Sequence, residues 1–308
     1  MERRKFIRNT STGIVAGAAL WSNYALANSI FTGPELEPGT KKITILHTND
    51  THSHIEPIQG GRNDGRGGVA RRAAIINKVR EENPNTLLLD CGDIFQGTPY
   101  FNFYGGELEI KLMSMMGYDA ATIGNHDFDN GIDGLYKQLP HATFDFVISN
   151  YDFSNTIMDG KTLPHKVIEK DGVRIGLFGV GIQLSGLVDP KMFKETVYHD
   201  PIEVAKDQAR ILKVEKKCDI IICMSHLGYA YKHDKVSDLK LAEATSDIDL
   251  IIGGHTHTFL DAPEIVKNAM DKDVMVNQVG CYGINLGRID FYLNEGKLNN
   301  NQNTIYSI

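Results

Sequence analysis

Ala-Ala-Thr-Ile-Gly-Asn-His-Asp-Phe-Asp, residues 120–129, joins a short apolar run to a cluster of groups that bind cations. Ala120–Ile123 reads as a buried strand. Gly124 lets the backbone turn tightly at its end, and Asn125, His126 and Asp127 follow. The same arrangement recurs along the chain. Ile43–Leu46 leads to Asp50 and His52, Thr86–Leu89 to Asp93, Asp219–Cys223 to His226, and Asp249–Ile252 to His255 and His257. Helical apolar stripes fall between or beside these runs, at Val69–Arg80, Glu107–Met116, Ile132–Leu139, Ile202–Lys217 and around 238–245. Phe146–Ser149 is a further strand, and His165–Glu169 with Val173–Val180 reads as a hairpin turning at Asp171-Gly172. Val274–Val279 and Gly287–Leu293 make the end of the chain strand-rich. Alternating strands and helices predict an α/β fold whose mixed sheets are covered by helices, with the strand-end loops meeting at one edge.

Taken singly, the polar groups are weak signals. Asp50-Thr51-His52 is often a turn with a helix cap, a lone Asp93 is more often a cap or turn residue, and His226 alone reads more readily as a hydrogen-bonded core histidine than as a ligand. In an extended segment, residues i and i+2 share a side, so Asp50 with His52 and His255 with His257 can act in pairs. Oxygen and imidazole ligands delivered from five strand ends are together what a two-metal hydrolytic centre requires.

The chain has 308 residues, 42% hydrophobic and 23% charged, enough for one large domain. Residues 41–297 are expected to form it, after a Gly/Pro linker at 28–40 and before a short tail at 298–308. The net charge of −7 and the lack of a basic stripe argue against a nucleic-acid polymer as partner. A small phosphorylated substrate remains compatible, because two divalent ions reverse the local potential. Arg3-Arg4-Lys5-Phe6-Ile7-Arg8, an apolar Gly13–Trp21 run and Ala25-Leu26-Ala27 resemble a twin-arginine export signal over 1–27. That predicts a periplasmic protein without a membrane anchor. Cys91, Cys218, Cys223 and Cys281 lie in apolar runs and are expected to be buried free thiols, a Cys91–Cys281 bridge being the alternative. Cys218 and Cys223 are expected on opposite faces of one strand.

The motifs in order are Asp50-Thr51-His52, Gly92-Asp93, Gly124-Asn125-His126-Asp127, His226 and Gly254-His255-Thr256-His257. This pattern resembles the calcineurin-like metallophosphoesterases. The strings Leu46–His54, Gly92–Gly97 and Gly124–Asp129 are similar to the catalytic domain of the 5′-nucleotidase subfamily. The resemblance implies a four-layer α/β/β/α fold with two face-to-face sheets. It implies that Asp50, His52 and His257 hold one metal and Asn125, His226 and His255 the other, with Asp93 bridging. His126 is then a catalytic residue that meets the phosphate and is paired with Asp129. His47 and His54 are expected to support the site or the fold, and His141, His165, His199 and His233 to lie away from it.

On this basis the expected chemistry is in-line hydrolysis of phosphomonoesters, nucleotides above all, by a metal-activated hydroxide. The oxygen and nitrogen ligands suit two divalent ions among Zn, Mn, Fe or Co. The sequence ends soon after the catalytic module, so the second, nucleobase-binding domain of 5′-nucleotidases is expected to be absent or supplied by a separate polypeptide. A phosphodiesterase acting on cyclic nucleotides or nucleotide sugars, a thiosulfohydrolase, and a non-enzymatic binding subunit are the alternatives.

Overall fold

A computed structural model describes residues 38–294 and 296–308. The export segment 1–27 and all but the last three residues of the linker lie outside them. The first half of the fold runs β1 (Lys41–Thr48), α1 (Val69–Glu82), β2 (Thr86–Asp90), α2 (Pro99–Tyr104), α3 (Glu107–Met116), β3 (Ala120–Ala121), α4 (Gly131–Gln138), β4 (Asp145–Phe146) and β5 (Tyr151–Asp152). It continues as β6 (His165–Lys170), β7 (Val173–Gly181), α5 (Pro190–Phe193), β8 (Val197–Tyr198), α6 (Pro201–Arg210), β9 (Ile220–His226) and α7 (Asp238–Ala244). The last strands are β10 (Leu250–Ile252), β11 (Glu264–Lys267), β12 (Asp273–Asn277), β13 (Asn285–Asn294) and β14 (Lys297–Ser307).

Two six-stranded mixed sheets carry the fold, ordered β14-β13-β1-β2-β3-β4 and β11-β12-β10-β9-β7-β6. Their core strands are apolar at successive positions because both faces are covered, and the period of two sorts the side chains into layers. Ile43, Ile45, Leu87 and Leu89 of the first sheet meet Ile175, Leu177, Ile220, Ile222, Leu250 and Ile252 of the second. Leu46 and Leu88 point the other way, onto Ile76 and Val79 of α1 and Ile110 and Met113 of α3. Ile221, Cys223 and Ile251 likewise face Ala205 and Ala209 of α6 and Leu241 and Ala242 of α7. Three parallel apolar layers thus separate helix, sheet, sheet and helix, the four-layer arrangement expected. No described helix is long and apolar enough to cross a membrane.

Four expectations change. The tail at 298–308 is β14, paired antiparallel along β13 from Asn285↔Ser307 to Asn294↔Lys297, with Ile308 buried. Its Asn-rich sequence has no regular apolar alternation, and the backbone ladder places it together with Tyr306 and Ile308, which pack against the core beside α1 and α3. The compact unit therefore runs from Lys41 to Ile308 rather than stopping at 297. β3 is only Ala120–Ala121 of the expected Ala120–Ile123, and β4 is Asp145–Phe146, sharing only Phe146 with the expected Phe146–Ser149. Cys218 precedes β9 and packs in the same layer as Cys223, so the two are not on opposite faces. All four cysteines are free and buried, and no Cys91–Cys281 bridge forms.

Candidate metal centre

The parallel register of β1 with β2, and of β7, β9 and β10, brings the carboxyl ends of both sheets to one edge. Asp50 and His52 leave β1, Asp93 leaves β2, Asn125 and His126 leave β3, His226 ends β9, and His255 and His257 leave β10. The loops are stitched together by continuing backbone bonds. Asp50 N donates to Gly92 O (3.0 Å), His52 N to Asp93 O (3.0 Å), and Tyr282 N to Asp50 O (2.7 Å).

The paired residues share a side, but not through extended backbone. Asp50, His52, Asp93, His255 and His257 have φ of 49°, 46°, 55°, 71° and 52°. This left-handed region is sparsely populated by residues with a Cβ and is held only where surroundings over-determine it. Gly124 has a different task from the turn expected of it. A Cβ there would lie 2.2 Å from Asp93 Oδ1 and 2.5 Å from Asp93 N, so glycine is required by close approach of two loops.

All seven predicted ligand residues converge. Asp50, His52 and His257 form one set and Asp93, His226 and His255 another, each with its donor atoms within 4.8 Å of one another. Asn125 Oδ1 lies 2.8 Å from His255 Nδ1, joining the second set. Asp93 Oδ2 stands between the sets, 3.1 Å from His226 Nε2 and 3.8 Å from His52 Nε2. His257 Nε2 is 3.4 Å from Asp50 Oδ1 and 3.0 Å from His52 Nε2.

The tautomers can be read from the outer partners. His226 Nδ1 donates to Cys91 O (2.6 Å) and His52 Nδ1 to Phe95 O (3.2 Å), so both rings are held with Nε2 toward the cluster. His226 Nε2 is buried and lies beside the Asp93 carboxylate without a well-aligned hydrogen bond to it. Buried imidazole nitrogens crowded around carboxylates fit divalent cations and fit little else.

Electrostatics agree. Burial opposes charge on Asp93, but His226 outweighs it and holds the carboxylate below its usual range. Burial likewise opposes charge on His226, yet Asp93 pushes its pKa up to about 10. The hydrogen bond to Asp50, followed by that to Cys281, raises His257 to about 10. Away from such direct pairing, burial lowers His52 and takes His255 down to about 4. Protons thus gather where the carboxylates call for positive charge.

His126 and Asp129 sit at the rim rather than in the cluster. His126 Nδ1 is 2.9 Å from Asp129 Oδ2, and that bond raises the pKa of the imidazole. The His126 backbone N–H donates to Asp93 Oδ1 (2.8 Å). A cleft of about 370 Å³ opens here, lined by His52, His126, His257, Gln96 and Tyr282 among others. His54 also lines it, its ring tilted 30° against Tyr282 with centroids 4.2 Å apart. His47 is structural, as expected: it is buried between the sheets against Asn277 and kept neutral by burial, with a pKa of about 3. His165 bonds Gln208 and His141 lies 3.9 Å from Glu107, both apart from the cluster.

Two residues inside the quoted strings have tasks that residue type alone did not reveal. Asp127 is fully buried, and its carboxylate accepts from the backbone N–H groups of Asp93, Ile94, Phe95 and Gly124. It locks the β2 and β3 loops together. Asn49 donates to Asp50 Oδ2 and to Gly280 O, both at 2.6 Å, and fixes the carboxylate. Tyr282 carried no sequence signal at all.

Comparison with known proteins agrees with this geometry. The profile of the calcineurin-like phosphoesterase family matches residues 43–259. The trifunctional nucleotide phosphoesterase protein YfkN of Bacillus subtilis is 34% identical over 289 residues, covering 83% of this chain and 18% of its own. Snake venom 5′-nucleotidase of Gloydius brevicauda is 34% identical over 284 residues, covering 83% of this chain and 45% of its own. The crystal structure of a 5′-nucleotidase precursor from Thermus thermophilus superposes with a TM-score of 0.79 at 33% identity, over 87% of this chain and 55% of that one. The chain thus spans less than half the length of these two curated relatives.

Proposed function

This chain belongs to the calcineurin-like phosphoesterase family, and from that premise we propose that it is a two-metal hydrolase of phosphomonoesters, with 5′-nucleotides as the substrate class. The observation that carries the reading is the convergence of both donor sets on Asp93, beside an open cleft. Asp50, His52 and His257 would hold one divalent ion, and Asn125, His226 and His255 the other, with Asp93 shared. The donors are hard oxygens and imidazoles, suited to Zn, Mn, Fe or Co. When bound, such a pair supplies Lewis-acid charge and a nucleophile at neutral pH.

The chain's own residues supply the rest. Asp127 fixes the backbone that carries Asp93, and Asn49 fixes the Asp50 carboxylate, both through buried hydrogen bonds, so the cluster is preorganised. His126 is held by Asp129 through Nδ1, which leaves Nε2 for the cleft. Its raised pKa favours the imidazolium, whose Nε2–H can donate to a phosphoryl oxygen or protonate the leaving oxygen. Nucleotides are supported as substrates by the names of the relatives, and export to the periplasm by the residue pattern of 1–27.

The test is hydrolysis by the purified chain loaded with Mn²⁺ or Zn²⁺, comparing 5′-AMP with bis(p-nitrophenyl) phosphate, with Asp93→Ala as the blank. Asp93-dependent phosphate release from AMP supports the proposal. Diester cleavage without AMP turnover would replace it with a phosphodiesterase.

A further inference from the structure

Glu109 is an acidic residue where its helix calls for an apolar one. On α3 it shares a face with Met113 and Met116, and like them it is buried, with only 4% of its surface exposed. A carboxylate withdrawn from water costs free energy unless partners stabilise it. Its Oε1 accepts from the Ser53 hydroxyl. The buried Arg72 lines the same cavity of about 10 Å³ as Glu109 and Ser53, so a positive charge accompanies the carboxylate. Glu109 is not among the metal donors, and the chemistry described above does not use it.

Ser53 is where this network meets the metal centre. It follows His52 directly, and both hold left-handed backbone, with φ of 46° at His52 and 58° at Ser53. Two consecutive residues of this kind persist only where their surroundings enforce the conformation. Ser53 N donates to Ile94 O (2.9 Å), and Ser53 O accepts from the Thr98 hydroxyl (2.8 Å). The single hydroxyl proton of Ser53 goes to Glu109, and Thr98 Oγ1 lies 2.9 Å from the same Ser53 oxygen. Thr98 is itself diverted. It stands at the N-cap of α2, where a threonine ordinarily caps the helix, yet its side chain makes no capping bond. An apolar stripe and a helix cap are both given up for contacts to one serine, and local rules are broken in this way chiefly at functional sites.

We propose that Glu109 is a positioning residue of the metal centre, acting through Ser53 to hold His52 toward the Asp50–His52–His257 set. This role rests on the two-metal reading. No hydrogen bond of the Glu109, Ser53 or Thr98 side chains reaches Asn125, His226 or His255 among the described residues. The support is therefore selective for one of the two sets.

The experiment titrates the Zn²⁺-loaded full chain with a chelator and counts the retained ions by mass spectrometry. Wild type holds two ions, and His257→Ala identifies the release step that belongs to its set. Glu109→Leu completes the apolar stripe, and Ser53→Ala removes the hydroxyl while leaving α3 untouched. Each weakens that one step about tenfold, the low end of effects from the outer partners of ligands, and leaves the other step within about twofold. Glu109→Gln keeps an oxygen for Ser53, and its amide nitrogen displaces no bond because Oε2 is buried without one. It therefore retains both ions within about threefold of wild type. A general loss of structure would weaken both steps together and would not be rescued by glutamine. Ser53→Ala decides the matter if Glu109→Leu does not fold. Equal weakening of both steps, release unchanged in Ser53→Ala, or a Glu109→Gln chain as weak as Glu109→Leu overturns the proposal. A wild-type chain that holds fewer than two ions refutes the two-metal reading and the role of Glu109 with it. Two ions in wild type, with variants that fail the comparison, refute the role of Glu109 alone.

Discussion

Replacing Asp127 by Asn removes charge and one acceptor while keeping shape, and it should loosen the metal centre from behind. Asp127 Oδ2 accepts from Asp93 N (3.0 Å) and Gly124 N (2.8 Å), and Oδ1 from Ile94 N (2.9 Å) and Phe95 N (3.2 Å). An amide can satisfy only one of these pairs. Its NH₂ group then faces two buried N–H donors that have no water to turn to. Each buried donor left without a partner costs about 1–3 kcal/mol, so two predict a loss of roughly 2–6 kcal/mol. For a domain of this size about 1 kcal/mol corresponds to a shift of ~2 °C, giving a Tm lower by roughly 4–12 °C. The same change frees the loop that carries Asp93, and outer partners of ligands typically govern about 10–100-fold in metal affinity. The assays are thermal unfolding followed by circular dichroism, and metal content by mass spectrometry after dialysis against a graded chelator. A variant that melts within about 1 °C of wild type and keeps its metals at the same chelator concentration would refute the argument.

Two further predictions test other parts of the molecule. His126→Asn should lower kcat on AMP by about 10²–10⁴-fold, the range for a positioned acid, while metal content stays at the wild-type level; Asp129→Asn should follow with a smaller loss, and loss of metal in either would move these residues into the ligand cluster. Asp290 accepts from Thr44 (2.6 Å) and pairs with Lys42 (2.9 Å) and Arg288 (3.0 Å). Burial opposes its charge, but these partners hold its pKa below the usual 3.8. Its contribution is therefore fully present above about pH 4 and fades as the pH falls further. The Tm difference between wild type and Asp290→Asn should be constant from neutral pH down to about 4 and shrink below it; a difference that grows on acidification would contradict the assignment.

The seven converging candidate ligand residues were legible in the sequence because chemistry and position coincide there. A strand buried on both faces is largely apolar, so Asp, Asn and His residues that follow such a run fall at or just past the strand end. Parallel strands gather those ends at one edge. The hairpin turn at Asp171-Gly172 was equally legible, since both residues tolerate the left-handed backbone they adopt, with φ of 51° and 70°. The layers followed from the alternation of Ile220, Ile221 and Ile222 between two cores only once both sheets were in place.

Other features arise only from contacts across the fold. β14 has no regular apolar pattern and forms because β13 offers an open ladder and the core receives Tyr306 and Ile308 at its end. The left-handed conformations of Asp50, His52, Asp93, His255 and His257 run against local preference and persist because interlocking loops hold them. Asp127 is one acidic residue among many until four N–H groups from two separate loops converge on it. Tyr282 acquires its place beside the cleft, and Glu109 its bond to Ser53, from segments with no shared motif. Which groups could bind cations and which segments were strands could be read along the chain, because residue chemistry and periodicity are local. Their distances, their strain and the cavities beside them belong to the folded molecule, because each depends on contacts between segments far apart in the chain.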